Sequence, residues 1–126
     1  MKTATPRYDG LRLEQFDRAP VDEMAEMRFA IDRRIDELLA VSGPLDQLTN
    51  AMRASALSAG KRMRPLLLML VARDLGCASK ALIDVACAVE LVHAASLILD
   101  DLPCMDDASL RRGKPAIHIQ FGEDVA

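Results

Sequence analysis

The run Asp100-Asp101-Leu102-Pro103-Cys104-Met105-Asp106-Asp107 sets four carboxylates within eight residues. Acids at the C-terminal end of a helix meet an unfavourable macrodipole, so such a run calls for positive compensation. A rim of carboxylates with no His or Cys placed as a zinc ligand suits the hard-oxygen preference of Mg²⁺. That ion is commonly held by one or two carboxylates plus substrate phosphates. The plain alternative is an acidic, solvated loop with Asp as cap and turn former. Two cationic groups accompany the acids, Gly60-Lys61-Arg62-Met63-Arg64-Pro65 and Arg111-Arg112-Gly113-Lys114. Arg offers phosphate a planar fork and Lys a point charge. Either group alone could be surface charge beside a helix start. Acids for Mg²⁺ together with two separate cationic groups predict a site for phosphorylated ligands, with room for two of them. His93 stands seven residues before Asp100. That is close to two helical turns, which puts both on one face about 10 Å apart along the axis. A lone helical His can equally be a satisfied core residue. Gly60-Lys61 is not a phosphate-binding P-loop, because Ser55 and Arg62 occupy places where that motif needs Gly and Ser or Thr.

These side chains need helices to position them. Met24, Met27, Ile31, Ile35 and Leu38 recur every three or four residues, the mark of an amphipathic helix. Pro20 suits its first turn, and Ser42-Gly43-Pro44 ends it. A second helix carries Leu45, Leu48, Met52, Ala56 and Ala59 on one side, with Gly60 as its C-terminal cap. Pro65 opens a short helix that is apolar all round, which predicts burial all round, and Gly76 stops it. Ser79 caps a last long helix from about Lys80 to Leu102, and Pro103 ends or kinks it. The run from Ile117 to Phe121 alternates like a strand but has no partner, and reads as loop. Gly122 to Ala126 reads as a helix start with acids in its first turn and no body behind it, which predicts a fragment. The fold class is therefore all-α. Residues 1–20 form an N-terminal arm, and residues 21–126 form the domain.

Composition bounds the rest. The chain has 126 residues, 51% hydrophobic and 28% charged, with a net charge of -3. That excludes disorder for most of its length and leaves no global basic field for nucleic acid or an anionic membrane. The longest uninterrupted apolar stretch, Pro65 to Ala72, is far short of the roughly 20 residues of a membrane span. The next, Ala81 to Leu99, is interrupted by Asp84, Glu90 and His93. No span is expected. The three cysteines form no CxxC pair, and the N-terminus has no signal-peptide core, which predicts a cytoplasmic protein with reduced thiols.

GKRMRP followed by ELVHAASLILDDLPCMDDASLRRGKPAIHIQFGEDVA resembles the trans-isoprenyl diphosphate synthases, and more closely the bacterial geranylgeranyl diphosphate synthases of carotenoid pathways. The likeness runs from about residue 24 to the last. It implies the N-terminal part of an isoprenoid synthase helical bundle, truncated before the second aspartate-rich motif. It also implies a homodimer in the full-length form. The implied reaction condenses isopentenyl diphosphate with an allylic diphosphate with Mg²⁺ help, and a C20 product is the expectation. Carried over by position, Asp100 and Asp106 would ligate Mg²⁺ and Asp101 would support them. Arg111 would contact the allylic diphosphate. Lys61, Arg64, His93 and Arg112 would hold isopentenyl diphosphate, and Arg62 receives no assigned role, with a structural one left open. Ala95, five residues before Asp100, and the adjacent Ser96 would leave the product channel open. The competing reading is a non-catalytic helical partner subunit of a full-length synthase. Without the second motif, the 126 residues alone are expected to be inactive.

Overall fold

The computed structural model describes residues 21–40 and 46–126. The arm, Pro20 and the Ser42-Gly43-Pro44 stop lie outside these residues. Four helices come first: α1 (Val21–Leu38), α2 (Gln47–Ala56), α3 (Met63–Asp74) and α4 (Leu82–Asp101). A two-residue hairpin, β1 (Leu110–Arg111) and β2 (Lys114–Pro115), leads into the short α5 (Ile117–Phe121). The hairpin is antiparallel, with Leu110 opposite Pro115 and Arg111 opposite Lys114. The architecture is all-α, with α4 packed against α1, α2, α3 and α5.

The helical period of α1 places Ile31 and Ile35 at zero exposure, but Leu38, expected on the same face, is 45% exposed, and Leu39 enters the core in its place. They meet Ala56 of α2, Leu66 of α3, and Cys87 and Ala94 of α4. The largest cause acting on the Cys87 thiol is its burial, which pushes its pKa up. Cys87 is thus a small core residue, while Cys77 and Cys104 are exposed, and all three are free.

Helix ends follow local chemistry, with some shifts from expectation. Asp46 caps α2, its side chain accepting from the Thr49 amide at 2.7 Å. α2 stops at Ala56, before Ala59 and Gly60, so Gly60 is not its cap. α3 begins at Met63, and Pro65 lies inside its first turn, where a missing N–H costs nothing. It closes as expected at Gly76, whose φ is +74°. The Gly76 amide donates to Arg73 O and the Cys77 amide to Ala72 O, both at 2.8 Å, which is the paired bonding of a Schellman end.

The all-round burial expected of α3 does not occur. Pro65 and Leu66 are buried, but Leu67 is 63% exposed and Val71 48%. A helix hydrophobic on every side needs neighbours on every side, and here α1 and α4 cover only one. α4 shows the same asymmetry, with Val85, Val92 and Leu99 exposed. It is long and apolar enough, by length and composition, to cross a membrane. Two acids along it are nevertheless tied to neighbouring segments: Asp84 accepts from Arg34 at 2.7 Å, and the buried Glu90 accepts from Arg62 at 2.9 Å.

Ser79 does not cap α4 directly. Ala81 holds the cap position, and Ser79 accepts from its amide through Oγ at 3.3 Å. The stop before Pro103 falls as expected, at Asp101. Ile117–Phe121 is a helix and not a loop, because Ala116, Ile117 and His118 are buried consecutively against α2 and α4 instead of alternating. Five residues are too few for a period of two to decide. After Gly122, the Ala126 amide closes one helical turn on Gly122 O at 3.2 Å.

Candidate active site

The C-terminal end of α4 leaves carbonyls without helical partners. The acidic loop satisfies them. The Asp106 amide donates to Asp100 O at 2.9 Å, Asp107 to Leu102 O at 3.1 Å and Ala108 to Asp101 O at 3.2 Å. The loop is thereby folded back on the helix, which brings the Asp106 backbone beside that of Asp100. Both Asp100 and Asp106 are exposed. Asp101 points elsewhere. It is 3% exposed and is clasped by Arg111, whose Nε lies 2.9 Å from Oδ2 and whose Nη2 also donates to Oδ1. Arg111's pKa is held above its ordinary value, first by that hydrogen bond, and further by the charges of Asp101, Asp100 and Asp106. Among the described residues no three His, Cys, Asp or Glu side chains gather as a metal cluster. The carboxylates of the run that remain exposed are those of Asp100, Asp106 and Asp107. This fits an ion such as Mg²⁺ that completes its shell with phosphate oxygens and water, and does not fit one that needs an all-protein cage.

The cationic residues converge from three separate segments. Lys61 and Arg64 flank the start of α3, His93 comes from α4, and Arg112 comes from the hairpin turn. All four line one open pocket of about 390 Å³. Arg64 Nη1 lies 3.3 Å from His93 Nε2. Arg has no acceptor, so a hydrogen bond across this contact runs from Arg64 to His93. Arg112 has a left-handed backbone, φ 52°, and its Nη1 donates to Ala59 O at 2.8 Å and Ser58 Oγ at 3.3 Å. Gly60 permits this approach, since a Cβ there would stand 2.7 Å from that nitrogen.

Arg62, in the middle of the first group, borders the same pocket but is buried. Its Nε donates to Asp32 Oδ1 at 2.6 Å and its Nη1 to Glu90 Oε1 at 2.9 Å. Its pKa is nonetheless raised: burial, the largest single influence, lowers it, but the two carboxylates together outweigh that. The sequence leaves Arg62 a structural role without naming its partners, and shows Glu90 only as a break in an apolar run. A charged residue inside such a run must be paired when buried, and that was the available signal.

A cleft between α2, α4 and the hairpin is lined by Ser55, Leu97, Ile98, Asp101 and Arg111, and also by His93 and Arg112 of the cationic pocket. Ala95 and Ser96 are exposed on α4. Ser96 Oγ donates to His93 O at 2.8 Å, and Ser96 lines an apolar groove with Val85, Val89 and Val92.

Residues 45–126 match the polyprenyl synthetase family. A geranylgeranyl diphosphate synthase of Pantoea ananas is 61% identical over 107 residues, covering 83% of this chain and 35% of the relative. One from Pseudescherichia vulneris is 50% identical, covering 86% of this chain and 36% of the relative. The crystal structure of a geranyltranstransferase from Thermotoga maritima superposes with a TM-score of 0.76 at 46% identity, over 81% of this chain and 38% of that one. The chain thus spans about a third of the length of these proteins. The match extends across both cationic groups and the acidic run, and the chain belongs to the polyprenyl synthetase family.

Proposed function

We propose that this chain carries the diphosphate-binding part of a prenyltransferase that joins isopentenyl diphosphate to an allylic diphosphate and ends at geranylgeranyl diphosphate. The observation that carries this reading is the convergence of Lys61, Arg64, His93 and Arg112 on one pocket, two turns along α4 from Asp100 and Asp106. Two anion-binding places at that spacing suit two diphosphates whose hydrocarbon ends meet between them. Lys61, Arg64 and Arg112 hold isopentenyl diphosphate through charge-assisted bonds, and His93 adds a donor. Asp100 and Asp106 would hold Mg²⁺, which when bound supplies charge neutralisation for the departing diphosphate. Arg111 stands beside that group. Its Nε and Nη2 are fixed on Asp101, which leaves Nη1 to meet the allylic diphosphate. The allylic C–O bond breaks with its electron pair passing to the diphosphate. The isopentenyl double bond forms the new C–C bond, and a proton leaves. Donors already in place stabilise the charge as it develops.

The names of the bacterial relatives and the small Ala95 support a C20 product. The free cysteines support a reducing compartment, the cytoplasm. The test compares two proteins: the 126-residue chain, and the same chain joined to the remaining two-thirds of the Pantoea ananas relative. Each receives isopentenyl diphosphate, an allylic diphosphate and Mg²⁺, and product length is read. The joined protein is expected to make a C20 product and to lose it on Asp100→Ala, while the chain alone turns nothing over. A folded joined protein that is inactive, or one indifferent to Asp100→Ala, overturns the reading.

A further inference from the structure

Three cations of the first cluster sit within four residues, and only the middle one is hidden. Arg62 has a side chain 4% exposed, whereas Lys61 and Arg64 are exposed. Its two bonds reach Asp32 of α1 and Glu90 of α4, while Arg62 itself caps α3. One guanidinium therefore ties three helices at a single point. Burying such a group is not the cheapest way to fill a core, since apolar residues of similar volume are often at least as stabilising. The backbone at Arg62 is also left-handed, φ 51° and ψ 34°, a conformation that residues other than glycine avoid. Two costs at one residue point to a geometric requirement.

The requirement is visible next door. Arg64 must reach His93, and the Arg64–His93 contact at 3.3 Å is exposed. Glu90 lies one turn before His93 on α4, so the buried Arg62–Glu90 pair and the exposed Arg64–His93 contact are successive links between the same two elements. The inner link sets the spacing of the outer one. Among the described residues, Glu90 is the one carboxylate lining the cationic pocket, and its charge is taken up by Arg62.

We infer that Asp32, Arg62 and Glu90 are positioning residues for the isopentenyl diphosphate pocket. They hold α1, α4 and the start of α3 so that Lys61, Arg64 and His93 meet one diphosphate; Arg62 and Glu90 border the same pocket with their charges paired to each other. The inference rests on the reading under Proposed function. Its test turns on a sign. If charge alone mattered, Glu90→Gln would remove a carboxylate beside an anion pocket and tighten binding. Positioning requires binding to weaken.

Calorimetric titration of the 126-residue chain with isopentenyl diphosphate is expected to give a Kd at least tenfold weaker for Glu90→Gln. Asp32 is half-exposed, so Asp32→Asn leaves the core intact and is expected to weaken binding about threefold in the same direction. In the joined protein, KM for isopentenyl diphosphate rises while KM for the allylic diphosphate holds. A Kd that tightens or stays unchanged in the folded variants overturns the inference, and Asp32→Asn decides the matter if Glu90→Gln does not fold. Wild-type chain that fails to bind isopentenyl diphosphate overturns the functional reading instead.

Discussion

The two cationic groups have almost the same composition and divide their labour differently. In Lys61-Arg62-Met63-Arg64 the cation that is paired is paired deeply, with carboxylates 30 and 28 residues away in the chain. In Arg111-Arg112-Gly113-Lys114 the pairing is local. Arg111 clasps an aspartate ten residues back, and Arg112 bonds to the Ala59 carbonyl and the Ser58 hydroxyl without a carboxylate. The first group is anchored by the bundle, and the second by the loop that leaves α4. Left-handed backbone occurs in both, at Arg62 and Arg112, where the chain must turn side chains of one charge in different directions. Charge density in a sequence thus says where anions can bind, but not which cation is free to bind them.

Breaking the anchor of the first group has the largest effect. Arg62→Ala leaves Glu90 buried without its partner, a loss of about 3–5 kcal/mol for a buried pair. Against a total stability of roughly 5–15 kcal/mol that is severe. Arg64→Ala, two residues on and exposed, is expected to change stability by less than about 0.5 kcal/mol and yet weaken isopentenyl diphosphate binding. Urea unfolding of both variants separates the two roles. Equal losses of stability would abolish the distinction within the cluster.

The second group is expected to show an asymmetry. The Asp101 side chain is 4% exposed and Arg111's is 38%. Arg111→Ala strands a buried carboxylate, whereas Asp101→Asn leaves a guanidinium that can turn to water. The first is expected to cost about 3 kcal/mol and the second about 1–2 kcal/mol by denaturant midpoint. The reverse order would mean that the pair is anchored from the arginine side.

Much of this was legible in the residue pattern. The glycine stop at Gly76 and the proline stop at Pro103 follow from local chemistry and stand in the structure, and the period of α1 stands as far as Ile35, after which Leu39 and not Leu38 is buried. Lys61, Arg64, His93 and Arg112, far apart in the chain, line one pocket. What the pattern left out depends on distant partners. Arg62 looks identical to Arg64 until Asp32 and Glu90 arrive from other helices. Asp101 looks identical to Asp100 until the hairpin brings Arg111 back to it. The exposure of Leu67 and Val71 was illegible for the complementary reason, because apolarity states a preference for cover without supplying the neighbour.

A smaller effect sharpens the link between the groups. Gly60→Ala puts a Cβ against Arg112 Nη1, the far end of a flexible side chain. The fold is expected to lose about 1 kcal/mol, because the arginine can yield. Its bonds to Ala59 O and Ser58 Oγ cannot both survive that shift. Diphosphate affinity is therefore expected to fall further than stability does. A Kd unchanged by Gly60→Ala would show that Arg112 is not set by the first group at all.

The smallest effect lies outside both groups and serves as their control. Asp46 caps α2, and the Thr49 amide bonded to it holds its carboxyl below the ordinary value of 3.8. The sign follows from that lowering. The cap's contribution is complete above the ordinary value and is lost as pH falls through the lower folded one. Asp46→Asn keeps an acceptor for Thr49 without a titrating charge. It is expected to flatten this part of the acid dependence of thermal unfolding and to leave stability near neutral pH and diphosphate binding almost unchanged. An effect on diphosphate affinity comparable to that of Gly60→Ala would show that α2 as a whole, and not the glycine contact, sets Arg112. The two cationic groups would then be joined through the body of the helix that precedes them.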